Sequence, residues 1–218
     1  MSSYPSLVAV VDIETLGKGV DAVIGTIGIV IVDVAQRQVV DEFYCRVDLA
    51  QGRQRDDDTQ AFWERQKVES PAAWEEMFGN AGRLFLVDAL QALANFLGRH
   101  FEKVAAVEVM GNGSEFDNVL LTHAYQQWGV EQPWWFRGNQ SLRTVVWMGR
   151  QLLGIDPKYQ LPFEGTRHHA LHDARHEAAY LIHILNAFKQ GLTGGVSAGH
   201  DIQSGAATLS GASADRVG

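Results

Sequence analysis

The chain is expected to fold as α/β, a mixed sheet flanked by helices, in one domain over residues 1–190 with a Gly/Ser/Ala-rich tail over 191–218. Three observations lead there. The first third holds three apolar, β-branched runs joined by short polar turns. After residue 83, helix-period patterns alternate with a further strand-like run. At 218 residues and 46% hydrophobic, the chain can bury one sizeable core.

Each element has its own signal. SLVAVVDIE is an apolar run that ends in acids, and IGTIGIVIVDV is a second, rich in Val and Ile. QVVDEFYCRV alternates, with Val39, Phe43 and Cys45 on one side. Ala35-Gln36-Arg37 is short enough for a hairpin loop, so the three runs read as a meander. The polar loop GRQRDDDTQ leads into two short helical pieces, TQAFWERQ and SPAAWEEMF. Ser70 as N-cap with Pro71 at the first helical position starts the second. Arg83 to His100 is expected to be a long helix, with Leu86, Leu90, Leu93 and Leu97 on one face. VAAVEVMG reads as another strand. Ser114 to Trp128 reads as a helix with Ser114 and Asp117 in capping-box register. Ser141–Leu153 and Ala170–Gln190 complete the helices. The tail has few large apolar residues and the composition of a disordered segment.

Composition narrows the function. The start has no basic segment before its apolar run, and VIGTIGIVIVDV is too short and glycine-broken to span a bilayer. A single cysteine, Cys45, excludes an internal disulfide and a cysteine zinc site and fits a reducing compartment, so a cytoplasmic location is expected. The net charge of -8 argues against a general nucleic-acid coating protein. It is unevenly spread, though. Residues 1–80 hold seven Lys+Arg against fourteen Asp+Glu, while residues 131–175 hold six against four. A local basic strip with bound divalent cations can still hold a phosphate backbone.

Three stretches carry chemistry. In VVDIETLG, Asp12 and Glu14 share one face of a strand. Carboxylates held side by side repel, and a hard divalent cation between them relieves the repulsion. In VEVMGNGSEFDN, Asp117 follows a strand and a glycine turn, where ligands gather in α/β sheets, although taken alone the stretch favours a residue that caps the helix and complements its dipole. TRHHALHDARHEAAY places four of the eight histidines within nine residues, beside Asp173. On one continuous helix, His168 and Asp173 would point about 140° apart. They converge only if His168 lies off the axis, which the loop EGTRH permits.

Together, DIET, NGSEFDN and HHALHDA resemble, in order, the three motifs of the DEDDh 3′–5′ exonuclease superfamily. The resemblance runs over roughly residues 7 to 188. The segments DIETLGKGVDAVIGTIGIV, FWERQ…SPAAW, NGSEFDN and SLRT look most like the mycobacterial Rv2179c-like exoribonuclease and phage T4 exonuclease A-like subgroup. The resemblance implies an RNase H-like (DnaQ-like) fold and a metal-dependent 3′–5′ exonuclease acting on single-stranded RNA or DNA ends. It implies Asp12, Glu14, Asp117 and Asp173 as ligands of two Mg²⁺ or Mn²⁺ ions. Asp12 would bridge both ions, and Glu14 would also meet the terminal 3′-hydroxyl. His168 would be the general base, taking the proton of the attacking water. His169, His172 and His176 would then be bystanders, though His172 and His176 have the spacing of a helical metal pair. Exonucleases of this kind are often dimers, which makes a homodimer an expectation.

Thr15 and Leu16 resemble the superfamily's contacts to the terminal nucleotide. Asn112, Arg143 and Arg167 are further candidates for substrate contact, the arginines because they lie in the basic stretch. Each has a plainer alternative. Leu16 could be partly buried, Asn112 a turn residue, and the arginines solvated. Trp63 and Trp74 could stack on bases or clamp the two short helices, and the clamp is favoured. Two other functions remain: a proofreading module working with a polymerase, and an HD-type phosphohydrolase suggested by His172-Asp173. The HD type is all-helical, which the strand-rich first half disfavours.

Overall fold

Leu7–Thr15 forms the first strand, β1, and its alternation decides the architecture of the computed structural model, which describes residues 6–194. Ala9, Val11 and Ile13 point to one side of the sheet, Val8 and Val10 to the other, and each set enters its own core. Strands β2 (Ile24–Asp33) and β3 (Gln38–Val47) complete an antiparallel meander with β1. Every residue of β2 is buried, as a central strand covered on both faces must be. Arg37, with φ of 58°, turns the tight β2–β3 hairpin.

Helices α1 (Asp57–Glu69) and α2 (Pro71–Phe78) follow. Asp56 caps α1 by accepting from the Thr59 N–H at 2.7 Å. Pro71 occupies the first position of α2 as expected, while Ser70 makes no side-chain cap bond. The helix expected from Arg83 starts three residues later. Arg83–Leu84 instead forms β4, parallel to Arg46–Val47, and the Arg83 guanidinium donates to the carbonyls of Gly79, Met77 and Val47. Satisfying those free carbonyls holds Arg83 extended.

Helix α3 (Leu86–His100) buries Leu86, Leu90, Leu93 and Leu97 as its spacing predicts. Each such burial is worth about 1.5–3 kcal/mol. Of the expected strand VAAVEVMG, only β5 (Val109–Gly111) pairs with β1; Val104–Ala106 turns as a 3-10 helix, where no strand lies alongside. Helix α4 (Asp117–Trp128) begins at Asp117 without a side-chain cap, so the Ser114–Asp117 capping box does not form. The Asp117 carboxylate is engaged elsewhere, by the Ile13 N–H at 3.2 Å.

Strand β6 (Asn139–Ser141), helix α5 (Leu142–Met148) with a π-helical continuation over Gly149–Leu153, and the short α6 (Pro157–Gln160) lead to α7 (Ala170–Gly194). Helix α7 runs four residues into the expected tail; the rest of that tail lies outside the described residues. The sheet order is β4-β3-β2-β1-β5-β6. Helices α3 and α4 cover one face and α5 and α7 the other. No helix among the described residues is long and apolar enough to cross a membrane.

Candidate active site

Asp12 and Glu14 continue the β1 alternation that puts Val8 and Val10 under α7. Asp12 stands opposite Gly28 in the β1–β2 ladder, and Glu14 opposite Thr26. A Cβ on Gly28 would lie 2.3 Å from the carbonyl carbon of Ala170. Glycine there lets the first turn of α7 rest directly on the sheet, which carries Asp173 to β1. One carboxylate oxygen from each of Asp12, Glu14 and Asp173 lies within 4.8 Å of the other two. Among the described residues, no other group of three or more His, Cys, Asp or Glu side chains converges in this way.

Asp117 reaches the same strand end from the α3–α4 layer, so it stands beside this triangle and not within it. Gly111 makes the approach possible, since a Cβ there would meet the Asp117 carboxylate at 2.9 Å. The bond from the Ile13 N–H then fixes Asp117 between its two neighbours on the strand, Asp12 and Glu14.

His168 precedes α7 with a left-handed φ of 61°. That backbone turn takes it off the helix axis and resolves the 140° divergence expected of a continuous helix. Its Nδ1 lies 4.0 Å from Glu14 Oε1, and its ring sits edge-on against Phe62 and Trp63. The next residue, His169, donates its N–H to Asp173 Oδ2 at 3.1 Å.

Burial and mutual repulsion dominate the electrostatics. Burial, then repulsion from Glu14, Glu177, Asp117 and Asp173, holds the Asp12 carboxyl well above the usual range. Burial and the charges of Asp173 and Asp117 do the same to Glu14. Burial pushes Asp117 up to about 7, against the pull of the Ile13 N–H. Burial also raises Asp173, opposed by His168 and by backbone N–H groups. Asp12 Oδ2 is buried without a hydrogen-bond partner. An all-oxygen donor set with an orphaned carboxylate oxygen fits a hard divalent cation such as Mg²⁺ or Mn²⁺.

The remaining histidines of the cluster are occupied elsewhere. His169 stacks between Tyr44 and His172, at 4.5 and 3.9 Å. His172 Nδ1 accepts from the Thr166 N–H at 3.0 Å, and His176 Nε2 lies 3.1 Å from the Lys158 carbonyl. His172 and His176 do not act as a metal pair here. The six-stranded sheet also removes the all-helical HD reading of His172-Asp173.

The expected substrate contacts fare unequally. Leu16 is a correction: it is 0% exposed, packed with Trp63, Val23, Ala73 and Met77, because the turn after β1 folds under α1 and α2. It has no surface to offer a base. Thr15 is buried, and its hydroxyl donates to the Gly17 carbonyl at 2.7 Å. Asn112 and Arg167 line a cleft of roughly 230 Å³ with Asp173, Glu177 and Lys158. Arg167 lies over the Phe163 ring at 4.5 Å, and Arg143 is paired with Glu115. Trp63 is core, 1% exposed, and donates to the Thr15 carbonyl at 2.9 Å; Trp74 packs against Phe78 at the other end of that cluster.

Two residues of the site are absent from the sequence-based set. Glu177 is buried one helical turn beyond Asp173, and Lys158 faces it from α6. The sequence signal for Glu177 is its place among Ala170, Ala174, Ala178 and Leu181, where a charged residue on an apolar stripe needs a reason.

Comparison with known proteins bears on the fold and the family. No curated protein sequence matches the chain. Among solved structures, the nuclease domain of 3′hExo, a DEDDh family member bound to rAMP, aligns with a TM-score of 0.53 at 14% identity, over 85% of this chain and 94% of that one. Cell-death related nuclease 4 (CRN-4) aligns at 0.59 and 15%, over 83% and 64%. Escherichia coli exonuclease I in complex with a dT13 oligonucleotide aligns at 0.59 and 12%, over 86% of this chain but only 43% of that protein. Identities this low establish a shared fold, the RNase H-like sheet of the DEDDh exonucleases. The family model described as the 3′-5′ exoribonuclease Rv2179c-like domain matches residues 8–185, nearly the whole described chain. The chain belongs to the Rv2179c-like 3′-5′ exoribonuclease domain family.

Proposed function

We propose that the protein removes nucleoside 5′-monophosphates from the 3′ end of single-stranded RNA by metal-dependent hydrolysis. The observation that carries this is the carboxylate triangle of Asp12, Glu14 and Asp173, with His168 placed 4.0 Å from Glu14. Asp12, Glu14, Asp117 and Asp173 would hold two Mg²⁺ or Mn²⁺ ions. When bound, such ions supply Lewis acidity to the attacking water, the phosphoryl oxygens and the leaving oxygen.

The protein's own groups do the rest. His168, partly exposed at the rim, takes the proton of the attacking water. The new P–O bond forms as the bond to the 3′-oxygen breaks, and that oxygen leaves with a proton. Glu14 would accept from the terminal 3′-hydroxyl, which would restrict cutting to chain ends. Asn112 and Arg167 bind the backbone from the cleft beside Asp173. Arg143, at the Asn112 turn, contributes positive field, and Thr15 shapes the turn next to Glu14. The family description favours RNA over DNA. The single cysteine, Cys45, is free and buried, which suits a chain that works in the cytoplasm without disulfides.

The test uses matched 5′-labelled RNA and DNA single strands with Mg²⁺, Mn²⁺ or EDTA, beside the Asp12→Ala protein. A metal-dependent ladder shortening from the 3′ end, faster on RNA and lost in the variant, is the expected result. DNA degraded faster than RNA would reverse the polymer assignment. No shortening of either strand with any metal would end the exonuclease reading for free nucleic acid.

A further inference from the structure

Glu177 is the one acid of this region that the three motifs leave without a role. It is 4% exposed, and its Oε2 is buried with no hydrogen-bond partner. It lies on α7 one turn past Asp173, so the two carboxylates share a helix face. Glu177 also lines the cleft beside Asp173, with Asn112, Arg167 and Lys158. Two buried oxygens of this region, Asp12 Oδ2 and Glu177 Oε2, are left without a hydrogen-bond partner. The Tyr180 hydroxyl, one turn further along α7, faces Glu177, yet neither that hydroxyl nor Oε2 closes a hydrogen bond of normal length, and a buried carboxylate left so is costly. Lys158 contributes a cation to its field, yet the Lys158 ammonium lies 3.5 Å from Asn112 Oδ1 and forms no ion pair with Glu177.

We propose that Glu177 is a fifth carboxylate of the metal centre, facing Asp12 from α7 and strengthening the hold on a divalent cation at the Asp12–Asp173 side of the cluster. The proposal rests on the two-ion reading above. It makes Glu177 a positioning residue for the ion, not a proton carrier. It also explains why an acid occupies a stripe otherwise built of alanine and leucine.

The test is Mn²⁺ binding, followed by calorimetry and by the spin-resonance signal of free Mn²⁺, on the wild type, Glu177→Gln and Asp12→Ala. Melting in EDTA is recorded for each. Glu177→Gln is expected to melt in EDTA at or above the wild-type temperature, since a neutral amide relieves the repulsion, and to bind Mn²⁺ about tenfold or more weakly. Wild-type Mn²⁺ affinity in Glu177→Gln, with or without a lower melting point, overturns the proposal. If Asp12→Ala loses Mn²⁺ while Glu177→Gln keeps it, the proposal fails and the two-ion reading stands. If both keep it, both fail. Glu177→Asp, which retains the charge on a shorter arm, covers the case of a poorly folding amide. A partial loss of affinity is expected, and unchanged affinity overturns the proposal.

Discussion

Asp12 and Gly28 face each other across the β1–β2 ladder, and the space beside Asp12 that a side chain at 28 would fill is taken by the backbone of Ala170. The carboxylate triangle thus depends on an absent methyl group. Gly28→Ala must lift the first turn of α7, with Asp173 and His168 attached to it. Overpacking of this kind costs about 1–3 kcal/mol. A misplacement near 1 Å costs about 10²-fold in rate. Melting curves and steady-state kinetics should show a modest loss of stability beside a large loss of kcat. A variant of wild-type activity would mean that α7 docks without regard to Gly28.

His168 combines a strained backbone with the proposed base. Asparagine tolerates the left-handed region, so His168→Asn keeps the turn and removes the imidazole. The expected outcome is a kcat lowered by about 10²–10⁴-fold. Mn²⁺ affinity and melting temperature should stay close to wild type. Lost metal binding in this variant would make His168 structural.

The acid cluster sets a pH dependence with a definite sign. Asp117 holds its proton up to about 7 in the folded protein, against an ordinary value of 3.8. The native state is then protonated where the unfolded chain has ionised. The contribution to stability is present at acid pH and is lost as the pH rises from about 3.8 through about 7. In EDTA the melting temperature should fall across that window. Saturating Mn²⁺ should flatten or reverse the fall, because the cation favours the ionised carboxylates. A melting temperature that rises with pH in EDTA would contradict the repulsive cluster.

Leu16 and Arg167 separate core from contact. Leu16→Ala should destabilise the fold by about 2–5 kcal/mol, as a fully buried leucine does. Arg167→Ala should leave stability alone, raise KM and lower the salt dependence of RNA binding by about one phosphate contact. A Leu16→Ala protein of full stability but raised KM would restore it as a nucleotide contact.

Much of the fold is legible because the meander strands are long, apolar and period-two, and because α3 repeats leucine at helical spacing. Strands β4 and β6 escape notice because two or three residues are too few to carry a periodicity, and only their neighbours make them strands. The helix start at Asp117 is misread for a related reason. Its carboxylate looks like a cap by register, but a backbone N–H from a distant strand claims it. Asp12, Glu14, Asp173 and His168 are legible as motif residues, yet the means by which His168 meets them is a single left-handed dihedral that spacing alone does not reveal. Glu177 belongs to no motif; its place on the apolar stripe of α7 is the one mark it leaves in the sequence, and its burial confirms that it faces inward.

The docking of α7 on β1 and β2 has a temporal side. Asp12 and Glu14 emerge early in synthesis, whereas Asp173 and His168 arrive only with the last helix of the described chain. A nascent chain that lacks α7 carries Asp12, Glu14 and Asp117 but not Asp173, the third corner of the triangle. Until that helix is laid across Gly28, the acidic site stays open at one corner, so the ability to gather the three carboxylates is the last thing the chain acquires.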